Sequence, residues 1–397
     1  MNQLSERLRS LSISQTLAMS QRSNELKAKG VDVINLSVGE PDFNTPEHIK
    51  EAAKQAIDDN FSHYTPVAGY LSLRQAIAKK LEVENQLSYS PEQITCANGA
   101  KQSVCNVMMA LVNKGDEVII PAPYWVSYPE MVKLAEGTPV IISTGIETDF
   151  KITPAQLEAA ITPRTKALIL CSPSNPTGAV YSQKELAALA VVIEKYPNLI
   201  VVADEIYEHI NYIGKHQSIA QFPAIKERVA IINGVSKAYA MTGWRLGFLA
   251  GPQWLVSACN KLQGQYTSGP SSVSQKAAEA AYTSSQAPVQ EMCAAFERRR
   301  KLIISLAKEI PGFELSIPEG AFYIFPKCDA YFGKKAGDTC INDSSDLALY
   351  LLDQAHVACV AGSAFGAPEC IRISYATSDE NITEAMKRIK EVVKKIN

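Results

Sequence analysis

One lysine of the sequence stands in surroundings that suit covalent chemistry. Lys237 follows the apolar run Val229–Ile232 and precedes Gly243 and Trp244, so its amine is expected to be partly buried. Burial lowers the pKa of an amine, and the free base is the form that attacks an aldehyde. A lysine after a strand is more often solvent-exposed, but these neighbours favour a nucleophile.

Other polar side chains follow apolar runs in the same way. Between about residues 90 and 250, short apolar runs alternate with helical patterns, which predicts βαβ units and a mostly parallel sheet. Such sheets bind ligands in the crevice beyond the carboxyl ends of their strands. The predicted strands are Gln93–Cys96, Glu117–Ile120, Ala167–Leu170, Leu199–Val202, Val229–Ile232 and Leu246–Leu249. The polar segments after five of them are Asn98–Lys101, Pro121–Trp125, Ser172–Gly178, Asp204–Tyr207 and Ser236–Lys237.

Each polar side chain also has an ordinary structural interpretation. Asp204 could cap a helix, and Trp125 and Tyr207 could be core aromatics. Asn175 begins an Asn-Pro turn. Arg372 alternates with apolar neighbours and could face solvent as an outward residue of a strand. The residues taken singly leave these alternatives open.

The segment Gly234–Gly247, with the sequence GVSKAYAMTGWRLG, is more specific. It resembles, position by position, the lysine signature of the class I and II aminotransferases, which use pyridoxal 5'-phosphate (PLP). The resemblance covers nearly the whole chain, including Gly39–Phe43, Ser174–Gly178 and Arg372–Ala376. It is greatest for the beta subgroup of class I, the bacterial and archaeal-type aspartate aminotransferases.

The resemblance implies contacts to the ring of the cofactor. Lys237 would bind the aldehyde carbon of PLP covalently as a Schiff base, and Asp204 would pair with the ring nitrogen. Asn175 and Tyr207 would hydrogen-bond the phenolic oxygen, while Trp125 would stack on the ring.

The resemblance also implies a phosphate site at the start of a helix. The backbone N–H groups of Gly99, Ala100 and Lys101 would meet the phosphate at the positive end of that helix. Arg245 would add a bidentate charge partner, and Ser236 is expected to contact the cofactor too.

For the substrate, the resemblance implies that Arg372 binds the α-carboxylate, because a guanidinium fixes a carboxylate by two parallel hydrogen bonds. Gly39, Trp125 and Asn175 are expected to line the same site. Lys101 would bind the side-chain carboxylate of aspartate or glutamate, in place of the arginine used by the enteric-type enzymes.

The implied reaction is PLP-dependent transfer of the amino group of L-aspartate to 2-oxoglutarate, giving oxaloacetate and L-glutamate by a ping-pong mechanism. Prephenate or other amino-acid aminotransferases, C–S lyases and aminocyclopropane-carboxylate synthases are alternatives on the same fold. A non-catalytic PLP-binding regulator is disfavoured by the intact lysine, aspartate and arginine set.

The implied partners are small molecules and a second copy of the chain. Tyr64 resembles the tyrosine that reaches the phosphate of the other subunit, which implies a homodimer with shared active sites. The 39 basic and 41 acidic residues give a formal charge of -2, so neither nucleic acid nor an acidic membrane is expected. The dense run Arg298–Lys301 is predicted to be a solvated helix face.

The cysteines indicate the compartment. The nine cysteines include no C-x-x-C pair, so no metal site is expected, and they are read as reduced thiols of a cytoplasmic protein. The sequence also contains no run of about 18 apolar residues and no secretory signal.

The helices and later strands predict two domains. Thr45–Pro46 should start a helix, and Thr377 and Glu380 should form the capping box of the last one. Phe322–Phe325 and Ile371–Ser374 read as antiparallel strands. The predicted fold is α/β, with a large domain at 46–290, built on a mostly parallel central sheet flanked by helices, and a smaller α+β domain formed by 1–45 and 291–397. The resemblance implies that this is fold type I and that the large domain binds PLP.

Overall fold

The computed structural model describes residues 3–397 and contains both large and small sheets. The strands are β1 (Ile34–Asn35), β2 (Ile94–Ala97), β3 (Glu117–Ala122), β4 (Thr138–Ser143), β5 (Thr165–Cys171), β6 (Ile200–Asp204), β7 (Val229–Gly234), β8 (Gly247–Ala250), β9 (Tyr323–Ile324), β10 (Lys334–Ala336), β11 (Thr339–Ile341), β12 (Val357–Ala358), β13 (Val360–Ala361) and β14 (Ile371–Ser374).

The largest sheet has seven strands in the order β2-β8-β7-β6-β5-β3-β4. All neighbours are parallel except those of β8, which is antiparallel to β2 and β7. The predicted mostly parallel sheet and its six predicted strands are therefore confirmed. The seventh strand, β4, was missed because Pro139 interrupts its apolar run, and a strand proline is tolerated at a sheet edge.

Helices cover both faces of this sheet. The helices are α1 (Glu6–Arg9), α2 (Gln15–Ala28), α3 (Glu47–Asp58), α4 (Leu71–Asn85), α5 (Ala100–Leu111), α6 (Ser127–Leu134), α7 (Pro154–Ala160), α8 (Gln183–Glu194), α9 (Gln253–Tyr266), α10 (Ser272–Thr283), α11 (Ala287–Ala307), α12 (Ser344–Tyr350) and α13 (Asp379–Val393). One apolar core joins the sheet to α4, α8 and α10, and a second joins its other face to α5, α6 and α9. Because α3 begins at Glu47 with Pro46 as its N-cap, the predicted start is one residue early.

A third core lies under a small antiparallel sheet. β14 pairs antiparallel with β9 and β13, so the prediction of antiparallel strands in Phe322–Phe325 and Ile371–Ser374 is confirmed, and the two strands pair with each other. β1 pairs with β12, so an early segment of the chain joins a late one. The proposed domain limits at 45/46 and 290/291 stay a prediction.

Two local predictions are wrong. The N-cap of α13 is Ser378, whose hydroxyl accepts from the backbone N–H of Asn381 at 3.2 Å, so Thr377 and Glu380 form no capping box. The run Arg298–Lys301 is not one solvated face, because α11 turns Arg299 inward. Its guanidinium donates to both carboxylate oxygens of Asp42 at 2.8 and 2.9 Å.

All nine cysteines are free thiols. Within residues 3–397, none of the helices has the length and apolar character needed to cross a membrane.

Candidate active site

A cavity opens at the edge of the large sheet where its parallel strands end. Its volume is about 320 Å³, which suits a small organic ligand. The residues predicted from the sequence line its wall, except Gly99 and Tyr64. Those in the wall are Gly39, Ala100, Lys101, Trp125, Asn175, Asp204, Tyr207, Ser236, Lys237, Arg245 and Arg372.

Lys237 follows β7 and carries the amine of the site. Its Nζ donates a hydrogen bond to the carbonyl oxygen of Gly39 at 2.5 Å and lies 5.7 Å from the centre of the Tyr207 ring. Burial lowers the pKa of Lys237 to about 8; the charge of Glu40 opposes this shift and that of Arg372 adds to it. A fraction of this amine is therefore free base near neutral pH and can attack a carbonyl carbon.

Asp204 ends β6 and carries the buried carboxylate of the site. It is 4% exposed, and its two oxygens accept hydrogen bonds from the hydroxyl of Tyr128 at 2.6 Å and from the backbone N–H of Ile206 at 3.2 Å. Burial raises the pKa of Asp204 to about 6, while both hydrogen bonds act to lower it. The carboxylate therefore keeps most of its charge at neutral pH and can accept a hydrogen bond from a protonated nitrogen.

The segment after Asp204 is anchored by a buried cluster of charged and polar side chains around Glu208. Glu208 accepts hydrogen bonds from Asn85 and Asn233, each at 2.8 Å, and contacts the ammonium group of Lys80. Burial, the largest single effect, would raise the pKa of Glu208, but the charges of Lys80, His209 and His216 together outweigh it and the pKa is lowered. These contacts fix the turn that aims Asp204 at the cavity.

Arg372 lies on β14 and is only 2% exposed, so the interpretation as an outward-facing strand residue is wrong. Its guanidinium donates to the side-chain oxygen of Asn175 at 2.9 Å and to the carbonyl oxygen of Ser37 at 2.5 Å. Its Nε has no hydrogen-bond partner among the described residues. A buried cation paired with neutral oxygens rather than a carboxylate is a strong candidate for binding an anion.

An anion cradle lies where α5 begins. Gly99 has φ +84°, and a Cβ atom there would lie 2.4 Å from Nη2 of Arg245. A Cβ at Gly247 would lie 2.2 Å from the backbone nitrogen of Ala100, so the start of β8 also requires a glycine. The two glycines let Arg245 lie against the first turn of α5, where free N–H groups and the helix dipole favour a phosphate.

Several wall residues were missed by sequence reasoning. Tyr128 and Tyr323 lie in apolar surroundings that read as core, although the spacing of Tyr128 three residues after Trp125 places both on one face of a helical turn. The hydroxyl groups of Tyr323 and Tyr207 are 2.8 Å apart. Ser14, Thr16 and Leu17, also missed, reach the cavity from the start of α2. The other missed wall residues are Val126, Ser127, Cys171, Ile206 and Thr242.

Tyr64 is not brought to the cavity of its own chain. Its side chain is 98% exposed and borders a groove that includes Ser268 and Ser271. Its predicted contact with a phosphate therefore requires another subunit.

The fold and the cavity together are those of an enzyme whose lysine amine can bind a carbonyl compound next to an anion cradle. The chain belongs to the aminotransferase class I and II family, whose model matches residues 31–389. It is a PLP-dependent aminotransferase of fold type I.

The comparison with individual proteins extends over nearly the whole chain. The bifunctional aspartate aminotransferase and glutamate/aspartate-prephenate aminotransferase of Petunia hybrida is 49% identical over 395 residues, covering 98% of this chain and 82% of that protein. The aspartate/prephenate aminotransferase of Nitrosomonas europaea is 47% identical, covering 97% of this chain and 98% of that protein. The crystal structure of the aspartate aminotransferase from Rhizobium meliloti superimposes with a TM-score of 0.97 at 44% identity, covering 100% of both chains.

The residues of the cavity fit PLP. The cradle at Gly99 and Arg245 suits its phosphate, the amine of Lys237 suits its aldehyde, and the buried carboxylate of Asp204 suits its ring nitrogen. The Nε of Arg372, which has no hydrogen-bond partner within residues 3–397, leaves a further anion site for a substrate carboxylate.

Proposed function

We propose that this enzyme transfers the amino group of L-aspartate to 2-oxoglutarate, giving oxaloacetate and L-glutamate by a ping-pong mechanism. The main support is the pair of cationic groups in the cavity wall that neither the cradle nor the Schiff base uses, Arg372 and Lys101. A dicarboxylic substrate offers one carboxylate to each. The names of the relatives from Petunia hybrida and Rhizobium meliloti agree with this substrate class.

Each residue has a separate task in this proposal. Bound PLP supplies an aldehyde that holds the amino group and a ring that withdraws electrons from the substrate. Lys237 holds the cofactor and, once released by the incoming amino acid, takes the proton from the substrate Cα as a general base. Asp204 keeps the ring nitrogen protonated, and Tyr207 and Asn175 donate hydrogen bonds to the phenolic oxygen. Ser236 and Arg245 hold the phosphate, and Trp125 stacks on the ring.

Lys101 is assigned to the side-chain carboxylate. Its Nζ lies 4.9 Å from the centre of the Trp125 ring, which keeps the ammonium group at the cavity. Desolvation by these surroundings lowers the pKa of Lys101, and the charge of Arg245 lowers it further. An ammonium group that loses water in this way gains from binding a carboxylate.

The direct test is the absorbance spectrum of the PLP-loaded protein during titration with L-aspartate. We expect complete conversion of the bound cofactor from its aldehyde form to its amine form, and reversal on addition of 2-oxoglutarate. A spectrum that L-aspartate leaves unchanged, but that another amino acid converts, would disprove the proposed substrate. Titration with L-alanine is the matched control because alanine lacks only the side-chain carboxylate.

Prephenate is a second candidate acceptor. The relative from Nitrosomonas europaea is named for both aspartate and prephenate, and the aspartate-converted enzyme provides a simple assay. If prephenate restores the aldehyde form as fast as 2-oxoglutarate does, the enzyme accepts both.

A homodimer is part of the proposal because Tyr64 is 98% exposed in one chain. We expect sedimentation velocity to give twice the chain mass of 43.2 kDa, and Tyr64→Phe to weaken PLP binding roughly fivefold by loss of one hydrogen bond. Tyr266→Phe is a control, since Tyr266 is another exposed tyrosine with no assigned role. A fully active wild-type monomer would exclude the shared site.

A further inference from the structure

Tyr128 connects two residues of the proposed cofactor site, and nothing above gives it a function. We propose that Tyr128 is a positioning residue: its hydroxyl keeps the Asp204 carboxylate ionised and aimed at the ring nitrogen of PLP, and it thereby sets the affinity for the cofactor. This inference rests on the role of Asp204 in the proposed function.

The geometry holds the phenol of Tyr128 in one place. Tyr128 is 2% exposed and lies in the first turn of α6, where its backbone N–H donates to the carbonyl oxygen of Trp125 at 3.0 Å. The two rings meet edge to face, with centroids 5.3 Å apart and an interplanar angle of 86°. The same turn therefore fixes the predicted stacking residue and the donor to Asp204, so ring stacking and the orientation of the carboxylate depend on one element.

The hydrogen bond itself is of the strong type. The hydroxyl of Tyr128 donates to Oδ2 of Asp204 at 2.6 Å, a separation typical of a hydroxyl that donates to a charged oxygen. Burial and the neighbouring charge of Asp204 raise the pKa of Tyr128 well above its ordinary value. Tyr128 therefore remains protonated and able to donate this hydrogen bond at neutral pH.

Asp204 has few other groups that favour its charge. The backbone N–H of Ile206 and the ammonium of Lys237 stabilise the carboxylate, whereas burial and the charge of Glu205 disfavour it. Cys171 lies near the same phenol and remains a thiol, because burial raises its pKa to about 12. Loss of the Tyr128 hydroxyl removes the strongest hydrogen bond to Asp204 and shifts the carboxyl toward its protonated form, which cannot pair with a protonated ring nitrogen.

The test compares two ligands on Tyr128→Phe. The substitution keeps the ring contact with Trp125 and removes only the hydroxyl. The apoprotein is titrated with PLP and with a carba-analogue of PLP in which C–H replaces the ring nitrogen. We expect Tyr128→Phe to bind PLP about tenfold more weakly than wild type, as for loss of one hydrogen bond to a charged group. The carba-analogue should bind both proteins within about twofold.

The matched control is Tyr181→Phe. Tyr181 is also buried, and its hydroxyl accepts from the backbone N–H of Ile152 at 2.9 Å instead of contacting Asp204. This variant should bind both ligands like wild type. The deficit of Tyr128→Phe for PLP should also shrink between pH 6.5 and pH 8.5, because alkali restores the charge of Asp204.

Three results for Tyr128→Phe would overturn the inference: equal loss of affinity for both ligands, unchanged affinity for PLP, or a loss of PLP affinity that is the same at pH 6.5 and pH 8.5. If Tyr128→Phe does not fold, 3,5-difluorotyrosine at position 128 tests the same point with a stronger donor, which should tighten PLP binding and leave the carba-analogue unaffected. Equal effects on both ligands would again exclude the inference. Failure of the wild type to exchange amino groups with aspartate would instead contradict the proposed function.

Discussion

Replacing Lys237 with alanine is expected to lower the turnover number at least about 10³-fold while PLP still binds. The variant keeps the cradle of Gly99 and Arg245 and the carboxylate of Asp204, so noncovalent contacts to the cofactor survive. What is lost is the amine that we propose removes the proton from the substrate Cα. Single-turnover absorbance measurements with L-aspartate would show slow conversion of a normally loaded site.

A small primary amine offers the matched test of this interpretation. Ethylamine added to Lys237→Ala should restore part of the rate, and the restored rate should rise with pH as more of the added amine becomes free base. Lys301→Ala, on the exposed side of α11, should behave like wild type. Wild-type turnover by Lys237→Ala would remove Lys237 from the role of catalytic base.

The two ionisable groups of the site are shifted toward each other by the same cause. Burial lowers the pKa of Lys237 to about 8 and raises that of Asp204 to about 6. An amine and a carboxyl that ordinarily titrate far apart are thus separated by only a narrow interval around neutral pH. The shift lets the amine of Lys237 accept a proton near neutral pH, which is the general condition for base catalysis, while the carboxylate of Asp204 stays largely charged.

The part of the site that the sequence predicts follows from strand ends. Asp204, Asn175 and Lys237 each lie within five residues of the end of an apolar run, and parallel strands place their carboxyl ends at one edge. Their convergence could therefore be expected before any contact was known. The position of Arg372 was harder to predict, because a polar residue alternates with apolar neighbours along a strand whether it faces solvent or a cavity.

The remaining wall residues could not be found this way because their position depends on tertiary contacts. Tyr128 and Tyr323 differ from core tyrosines only in what their hydroxyls touch. Ser14 and Thr16 reach the cavity through the path of the N-terminal segment, which no local pattern encodes. Arg299 shows the converse error, since a dense basic run concealed one inward cation bound to Asp42.

The two cationic groups assigned to the substrate should differ in what their loss affects. Arg372→Leu is expected to lower kcat/KM about 10³-fold for aspartate and phenylalanine alike, because both substrates carry an α-carboxylate and a buried charge pair is lost. Lys101→Ala should lower kcat/KM for aspartate roughly 30-fold and leave phenylalanine nearly unchanged, because only aspartate has a second carboxylate.

The difference between the effects of Arg372→Leu and Lys101→Ala tests how the substrate is oriented in the cavity. Arg372 is buried beside Asn175 and Ser37, a rigid setting that suits the carboxylate common to all amino acids. Lys101 carries its charge at the end of a long unbranched side chain that lies against Trp125, a setting that suits the variable end of the substrate. Steady-state kinetics with aspartate and phenylalanine give kcat/KM for each variant. Dividing each value by that of wild type gives the four ratios that test these roles. If Arg372→Leu proved selective for aspartate and Lys101→Ala affected both substrates equally, the two roles would be reversed. Equal loss in all four cases would mean that neither residue discriminates between the two substrates.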